Sequence, residues 1–230
     1  LANHSSKIYK GNDSTGVFTS ILTLSNSDRK GQWLTWHNIA IGTDGYNQPT
    51  KYDGTSASAT YLGAPLATDA GSGAGPDGVY TYKVSCYTTT YEVLLDTASN
   101  TVTVSDNDIN LSMIPVCPDT FLGEDVTGRK VYRTLTGGTA YKLLTNGTIA
   151  NNTAVTLTDS DSDADITART AYPTANGTTI TAAAPPKGKL SVIHQNRLWI
   201  ANDPSHPSRI YYSDDSSHDY FPTLNYLDIR

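Results

Sequence analysis

The pattern of apolar and polar residues along the chain predicts strands rather than long helices. No window repeats apolar residues at spacings of three and four, the spacing that marks one face of a helix. Apolar and polar residues instead alternate in short runs, and clusters of Gly, Asn, Asp and Pro bound these runs. This pattern indicates an all-β protein built from many short strands.

The first and last parts of the chain share one style of short strand. In residues 1–56 the alternation predicts strands at 7–10, 17–24 and 33–42, with tight turns that include one over 25–31. Residues 186–230 continue the same style, with predicted strands at 190–193, 197–201 and 209–213. We therefore expect these two parts to form one discontinuous, propeller-like antiparallel β domain.

The middle part predicts a separate β domain inserted into the first. Residues 76–171 carry alternating runs about a dozen residues apart, at 79–88, 101–105, 129–135, 140–145 and 154–159. That spacing suits a β-sandwich of the fibronectin type III or immunoglobulin kind. Residues 57–75 and 172–185 are rich in small residues and Pro, so we expect two linkers.

Charge and length exclude several classes of partner. The chain has 230 residues, a net charge of -6 and only 16 Lys plus Arg, spread thinly. Such a chain lacks the basic surface that nucleic acids and anionic membranes attract. No apolar run approaches the roughly 20 residues that span a bilayer, so no membrane segment is predicted. The chain begins Leu-Ala-Asn and has one Met, Met113, so we expect it to be trimmed or excised from something longer.

The two cysteines, Cys86 and Cys117, are expected to be free thiols. A single pair in a chain of this length is not a disulfide framework. Cys86 shares the alternation of Tyr80, Tyr82 and Val84, which places it as a small buried residue on the inward face of a strand.

A set of histidines and aspartates near the C-terminus invites a catalytic interpretation. His194, Asp203, His206 and Asp214 include the residue types that serve as general base and orienting group. No Ser lies in a G-x-S-x-G turn, and no H-E-x-x-H or C-x-x-C is present. We interpret His194 as a turn cap and the Asp-Pro and His-Pro pairs as turn residues.

The aspartate run invites a metal interpretation. Asp159, Asp161, Asp163 and Asp165 alternate along residues 159–165, and such a loop can fold its carboxylates round Ca²⁺. It lacks the Gly and the bidentate Glu of an EF-hand loop. We favour a solvated segment that ends the last strand of the sandwich.

The remaining candidates are aromatic or glycine-rich. Tyr211, Tyr212, Tyr220 and Phe221 suit either a sugar platform or packing and subunit contact, and we favour the second. The Gly-rich stretch 71–75 lacks the Lys-Ser/Thr of a phosphate loop, so we expect a flexible hinge. We therefore predict no catalytic, metal-binding or cofactor-binding residue and no enzymatic activity.

Several motifs together carry a resemblance to one family. In the middle part they are 79-VYTYKVSCY-87, 109-INLSMIPV-116, 128-GRKVYRT-134, 137-GGTAYKLL-144 and 149-IANNTAVTLTDSDSDADI-166. In the flanks they are 35-TWHNIAIGTDGYNQPTKYDG-54 and 192-VIHQNRLWIANDPSHPSRIYYSDDSSHDYFP-222. This combination resembles tail and head-tail structural proteins of tailed bacteriophages, in which a fibronectin-type domain is inserted between propeller-like segments.

The resemblance implies a function in assembly. It predicts a non-enzymatic virion protein of the tail, nozzle or head-tail connection, assembled in the host cytoplasm. Its partners would be copies of itself in a ring and neighbouring tail or head-tail proteins, with genomic DNA passing nearby without specific binding. The alternative is a secreted carbohydrate-binding or carbohydrate-active protein with a fibronectin-like accessory module, because fold alone does not decide function.

Overall fold

The computed structural model describes residues 1–25 and 30–229, and it confirms the prediction of an all-β chain. Within those ranges the helical structure is a single turn, α1 (Asp163–Ile166). No helix in the described part has the length and apolar character needed to cross a membrane.

Strands run through all three parts of the chain. The first part contains β1 (Ala2–His4), β2 (Lys7–Gly11), β3 (Phe18–Thr23), β4 (Gln32–Trp36), β5 (Ile39–Thr43), β6 (Thr50–Tyr52), β7 (Thr60–Tyr61) and β8 (Leu66–Asp69). The middle part contains β9 (Gly78–Tyr80), β10 (Tyr82–Tyr87), β11 (Glu92–Leu95), β12 (Val102–Val104), β13 (Ile109–Ser112), β14 (Thr120–Phe121), β15 (Glu124–Asp125), β16 (Gly128–Thr134), β17 (Tyr141–Ile149) and β18 (Leu157–Asp159). The last part contains β19 (Thr179–Thr181), β20 (Leu190–His194), β21 (Arg197–Asp203), β22 (His206–Tyr212) and β23 (Tyr226–Asp228).

The flanking strands form antiparallel meanders. The order is β1-β2-β3 in one sheet, β4-β5-β6-β7 in a second and β20-β21-β22-β23 in a third. The middle strands form two sheets, each of which includes one strand from an adjoining part: a five-stranded sheet, β17-β16-β10-β11-β19, and a three-stranded sheet, β18-β13-β8. Two smaller pairs, β9 with β12 and β14 with β15, complete the described sheets, and none of them closes on itself.

In the part of the chain that the structure describes, three apolar cores lie between these sheets. The largest contains side chains from both central sheets, among them Tyr82, Val84 and Leu111. A second joins the β4–β7 sheet to the β20–β23 sheet through Trp36 and Leu198. The third packs the β1–β3 sheet against residues of the β4–β7 sheet and its loops. Strands such as β12 and β13 bury alternate residues, as the sequence pattern predicts, whereas β6 is buried along its whole length.

Among the described residues, four hairpins turn through two residues that both have positive φ. Ser5-Ser6, His37-Asn38, Leu122-Gly123 and Gln195-Asn196 adopt this conformation, which matches the twist of the flanking strands. The single strand predicted over 33–42 is therefore wrong. His37-Asn38 divides it into β4 and β5, although neither residue is Gly.

The two segments predicted as linkers are packed into the structure. Within 57–75, β8 pairs with β13 of the central part, and Leu62 and Ala64 are wholly buried. Within 172–185, β19 pairs in parallel with β11. Small side chains suit close packing of the backbone as well as flexibility, so composition alone misassigned these segments. The turn predicted over 25–31 falls largely on residues 26–29, which lie outside the described residues.

The cysteine prediction is also wrong. Cys86 on β10 and Cys117, between β13 and β14, form a disulfide. Both residues are buried in the central core, so the inward orientation predicted for Cys86 is confirmed. The inward face of β10 places Cys86 opposite the 114–118 segment, a contact between distant residues that alternation cannot reveal.

Candidate functional site

A buried ion pair joins β6 to the segment that follows β22. Lys51 Nζ lies 2.7 Å from Asp219 Oδ1, and the two side chains are 2% and 1% exposed. All three residues of β6 are buried, because this strand lies between β5 and β7 in its sheet. Burial lowers the pKa of Lys51 and outweighs the raising effect of Asp219. Two charges removed from water are tolerated here only because each offsets the other at hydrogen-bond distance.

The Asp219 carboxylate is held from four directions. Oδ1 accepts from Lys51 Nζ and from the Gly63 backbone N–H at 2.7 Å. Oδ2 accepts from the Val116 N–H at 3.2 Å and lies 3.2 Å from His218 Nε2. Burial alone would raise the pKa of Asp219, but Lys51, His218 and the Gly63 N–H together hold it below its usual value. Asp219 is thus an ionised carboxylate with its acceptor capacity in use.

His218 presents one ring nitrogen to Asp219 and leaves the other without a partner. Nε2 points to the carboxylate, whereas the buried Nδ1 has no hydrogen-bond partner among the described residues. Burial lowers the pKa of His218, and the charges of Lys51 and His37 lower it further. Asp219 raises this pKa, but by less than the other effects lower it. The imidazole is therefore neutral near pH 7, with a proton on Nε2 and a lone pair on Nδ1.

These three residues line a cavity of about 210 Å³. Its apolar lining comes from both the flanking and the central parts of the chain: Ile39, Met113, Ile114, Val116 and Val155. His37 and Val155, which are exposed, mark its opening. A concave apolar site with a few converging polar groups is the general form of a small-molecule site.

The chemistry available in this cavity is binding rather than nucleophilic attack. A His-Asp pair resembles half of a hydrolytic triad, and Ser216 also lines the cavity. However, Ser216 Oγ accepts a hydrogen bond from Asn196 Nδ2 at 2.6 Å, and in the described part of the chain nothing bonds to His218 Nδ1. The arrangement offers an acceptor and an ammonium donor to a bound molecule.

The aspartate run lies elsewhere, around a buried arginine. Asp159 is wholly buried, not solvated as predicted, because its Oδ2 accepts from Arg133 and from the Tyr82 hydroxyl, both at 2.7 Å. Asp163 also accepts from Arg133, at 3.0 Å. Asp161 accepts from the Thr145 N–H, and Asp165 and Ser162 form the capping box of α1.

These carboxylates therefore bond to protein donors. Over residues 1–25 and 30–229, no three His, Cys, Asp or Glu side chains group as a metal site requires.

The four residues with a catalytic interpretation do not all come together at one site. His194 pairs with Arg197, the first residue of β21, whereas Asp203 is the last residue of that strand. His194 and Asp203 are therefore separated by the length of β21, about 20 Å at the usual rise per residue. Asp203 accepts from the Ser205 N–H at 2.8 Å, which confirms its predicted turn role, and it pairs with His206 across the hairpin. Asp214 forms an ion pair with Arg197 at 3.2 Å.

The four aromatic candidates divide between two environments. Tyr220 and Phe221 are each 2% exposed and belong to the central core and to the core between the two four-stranded sheets, respectively. Tyr211 and Tyr212 are adjacent in β22 and so point to opposite faces of the sheet. They do not form one platform. Tyr212 instead packs on Trp199, with ring centroids 4.8 Å apart.

The outer face of the β20–β23 sheet is apolar and exposed. Strand pairing places Leu190, Val192, Trp199, Ile210 and Leu227 on this face. Leu190, Val192 and Leu227 are 55%, 57% and 52% exposed. A groove of about 410 Å³ runs along it. We call these five residues the outer apolar face.

The glycine-rich stretch 71–75 packs against a neighbouring turn. The Asp108 N–H donates to the Ser72 carbonyl at 3.0 Å, and a Cβ added to Gly75 would meet Asn107 backbone at 2.6 Å. This contact explains why Gly occupies that position, whereas composition suggested only a hinge.

Sequence reasoning missed Lys51, His218 and Asp219. Lys51 lies in the three-residue strand 50–52, and His218-Asp219 lies in a polar stretch that predicts a surface loop. A lysine in a strand is ordinarily solvent-exposed, so no local signal marks it as buried.

Comparison with known proteins adds no relative. No protein-family model matches the chain, and no curated protein matches it either.

Proposed function

We propose that this chain is a non-enzymatic structural component of a tailed-phage virion, in the tail, nozzle or head-tail connection. The proposal rests on the motif resemblance and on one structural observation, the outer apolar face. Copies of the chain, in a ring, and neighbouring tail proteins would be its partners.

The outer apolar face supports an assembly role because the opposite face of the same sheet is already packed. The inner face contributes Leu198 and Ile200 to the core shared with the β4–β7 sheet. A sheet that is apolar on both faces is suited to packing on both sides. Contiguous exposed apolar surface on a protein commonly marks an interaction site. We infer that a sheet of a neighbouring copy covers the outer apolar face.

A ring requires two different contact surfaces on each copy. Val17 and Phe18, 58% and 63% exposed at the start of β3, supply an apolar patch in another sheet. Contact between this patch and the outer apolar face of the next copy would propagate round a ring.

The finer architecture belongs to the same proposal. The face-to-face packing of the three flanking sheets supports a propeller-like domain. The shared core of the two central sheets supports a fibronectin type III-like sandwich inserted into it. The net charge of -6 suits a particle component that DNA passes without being held by its phosphates.

The test is self-association measured by sedimentation velocity over a range of concentrations. The wild-type chain is expected to form oligomers, and Val192→Lys is expected to shift them to monomers, because a charge on the outer apolar face resists burial. Val79→Lys is the matched control, since Val79 is a strand valine that is 49% exposed outside this face. A wild-type chain that stays monomeric at every concentration, or equal effects of both variants, would contradict the proposal.

The carbohydrate-binding alternative has one observation in its favour. Trp199 and Tyr212 stack on the outer side of the β20–β23 sheet, and such paired rings can also pack against sugars. Glycan binding that Trp199→Ala abolishes, together with an absence of self-association, would favour this alternative over assembly.

A further inference from the structure

We propose that the cavity lined by Lys51, His218 and Asp219 binds a small neutral molecule made of one apolar ring and one hydroxyl group, a phenol in the simplest case. This inference is independent of the proposed function, because the cavity lies away from the outer apolar face and its lining residues differ.

The polar end of the cavity specifies a group that both donates and accepts. His218 Nδ1 is buried and unpartnered within the described residues, and the cavity that His218 lines is the space from which a ligand donor would approach it. Lys51 Nζ has three N–H donors and bonds to Asp219 with one of them. A hydroxyl group meets both needs, because its O–H donates to Nδ1 while its oxygen accepts from the ammonium.

The charges around the cavity favour a neutral ligand. Lys51 and Asp219 already offset each other, and Asp53, which also lines the cavity, bonds to Ser56 and the Thr55 N–H. A ligand carboxylate would lie near Asp53 and Asp219, and a ligand amine would lie near Lys51. Either ligand would add a like charge beside groups that are already neutralised, which is unfavourable.

The volume and the apolar lining of the cavity favour a ligand that contains a single ring. An engineered apolar cavity of about 150 Å³ is large enough to hold benzene, so the cavity of about 210 Å³ accommodates one substituted ring. Ile39, Met113, Val116 and Val155 supply apolar walls, and Met sulfur packs well against aromatic edges.

The experiment compares p-cresol with toluene, which differ only in the hydroxyl group, by ligand-observed NMR titration. p-Cresol is expected to bind about five to ten times more tightly than toluene, the effect of one good hydrogen bond. His218→Phe keeps the ring but removes Nδ1, and it should reduce this ratio to about one. His194→Phe is the matched control, because His194 is exposed in a hairpin outside the cavity and should leave the ratio unchanged.

A second variant keeps the test decisive if His218→Phe does not fold. Val155 lies exposed at the cavity opening, so Val155→Trp should block entry and abolish binding of both compounds. Val79→Trp, at an exposed strand position elsewhere, should not. N-acetyl-tyrosine amide distinguishes the source of the ring: binding assigns the site to a tyrosine of another protein, and exclusion assigns it to a free compound.

Three results would overturn the proposal. They are no binding of p-cresol up to its solubility, equal binding of p-cresol and toluene to the wild-type chain, or binding that persists in Val155→Trp. The first of these would leave ordered water as the occupant that satisfies His218 Nδ1.

Discussion

The disulfide between Cys86 and Cys117 gives a stability prediction of defined size. It closes a loop of 31 residues, from β10 to the segment between β13 and β14. The chain-entropy relation for such a loop gives about 3.7 kcal/mol of stabilisation at about 25 °C, because the cross-link restricts the unfolded chain. We expect reduction to lower the free energy of unfolding by this amount, which corresponds to a fall of roughly 7–15 °C in Tm.

The assay compares oxidised and reduced wild-type protein by urea unfolding, with and without a phosphine reductant. Reduction removes no heavy atom, so it is a cleaner perturbation than substitution of buried cysteines, which adds a larger packing change. Intact mass should show the loss of two hydrogen atoms in the oxidised form, and thiol titration should find no free Cys. Two titratable thiols, or unfolding curves that coincide, would refute the reasoning.

The disulfide between Cys86 and Cys117 also gives a prediction about the compartment in which it forms. Disulfides form and persist in oxidising surroundings and are rare in a reducing cytoplasm. If the proposed function holds and the chain is assembled in a host cytoplasm, we expect free thiols during assembly and the disulfide after release. Thiol labelling before and after lysis measures this directly, and a fully oxidised pair inside the cell would contradict it.

Three further changes test particular contacts. Arg133→Met leaves the buried Asp159 without its cation, so urea unfolding should show a loss of about 3–5 kcal/mol, and an unchanged midpoint would contradict this account. Burial would raise the pKa of Glu92, but hydrogen bonds from Lys130, Ser85 and Tyr132 lower it instead. The stability that Glu92 contributes is thus present above the unfolded pKa of about 4.3 and is lost as pH falls through the lower folded pKa. Glu92→Gln should reduce this loss of stability at acid pH, measured as Tm over a pH series. An unchanged dependence of Tm on pH would contradict this account. Replacing His37-Asn38 by Asn-Gly should raise stability by about 1 kcal/mol in thermal unfolding, because Gly adopts positive φ without strain, and a lower Tm would contradict the turn assignment.

The sequence predicts strands well where alternation is long and one face is buried. Runs such as 129–135 and 197–201 appear as β16 and β21 at nearly the predicted positions. Two hairpins without Gly were missed, since Ser5-Ser6 and His37-Asn38 take positive φ against their local preference. The flanking strands and the packing around them impose that conformation, so it has no local signature.

Strands in the small-residue segments were missed for a different reason. β8 and β19 lie in stretches whose Ala, Gly and Thr content predicts linkers. β8 pairs with β13, whose residues lie 40 or more positions away in the sequence. β19 pairs with β11, which lies more than 80 positions away. Composition reports local flexibility, whereas these strands owe their structure to distant partners.

The candidate site could not be predicted from the sequence, because its residues are distant from one another along the chain. Lys51, Gly63, Val116 and Asp219 come from four separate segments and meet only when the flanking and central parts pack together. The Ser217 hydroxyl adds a hydrogen bond to the Val116 carbonyl at 2.7 Å, so both backbone polar groups of Val116 are bonded to the flank.

Apolar faces can slide over one another at little cost, but a buried carboxylate with four donors has one satisfactory position. We infer that this cluster fixes the alignment of the two parts as well as the shape of the cavity. If so, reduction of the neighbouring disulfide should weaken p-cresol binding in folded protein, because the wall formed by Ile114 and Val116 loses its covalent anchor at Cys117. Undiminished binding after complete reduction would show that the hydrogen bonds to Asp219 and Ser217 hold this wall without the disulfide.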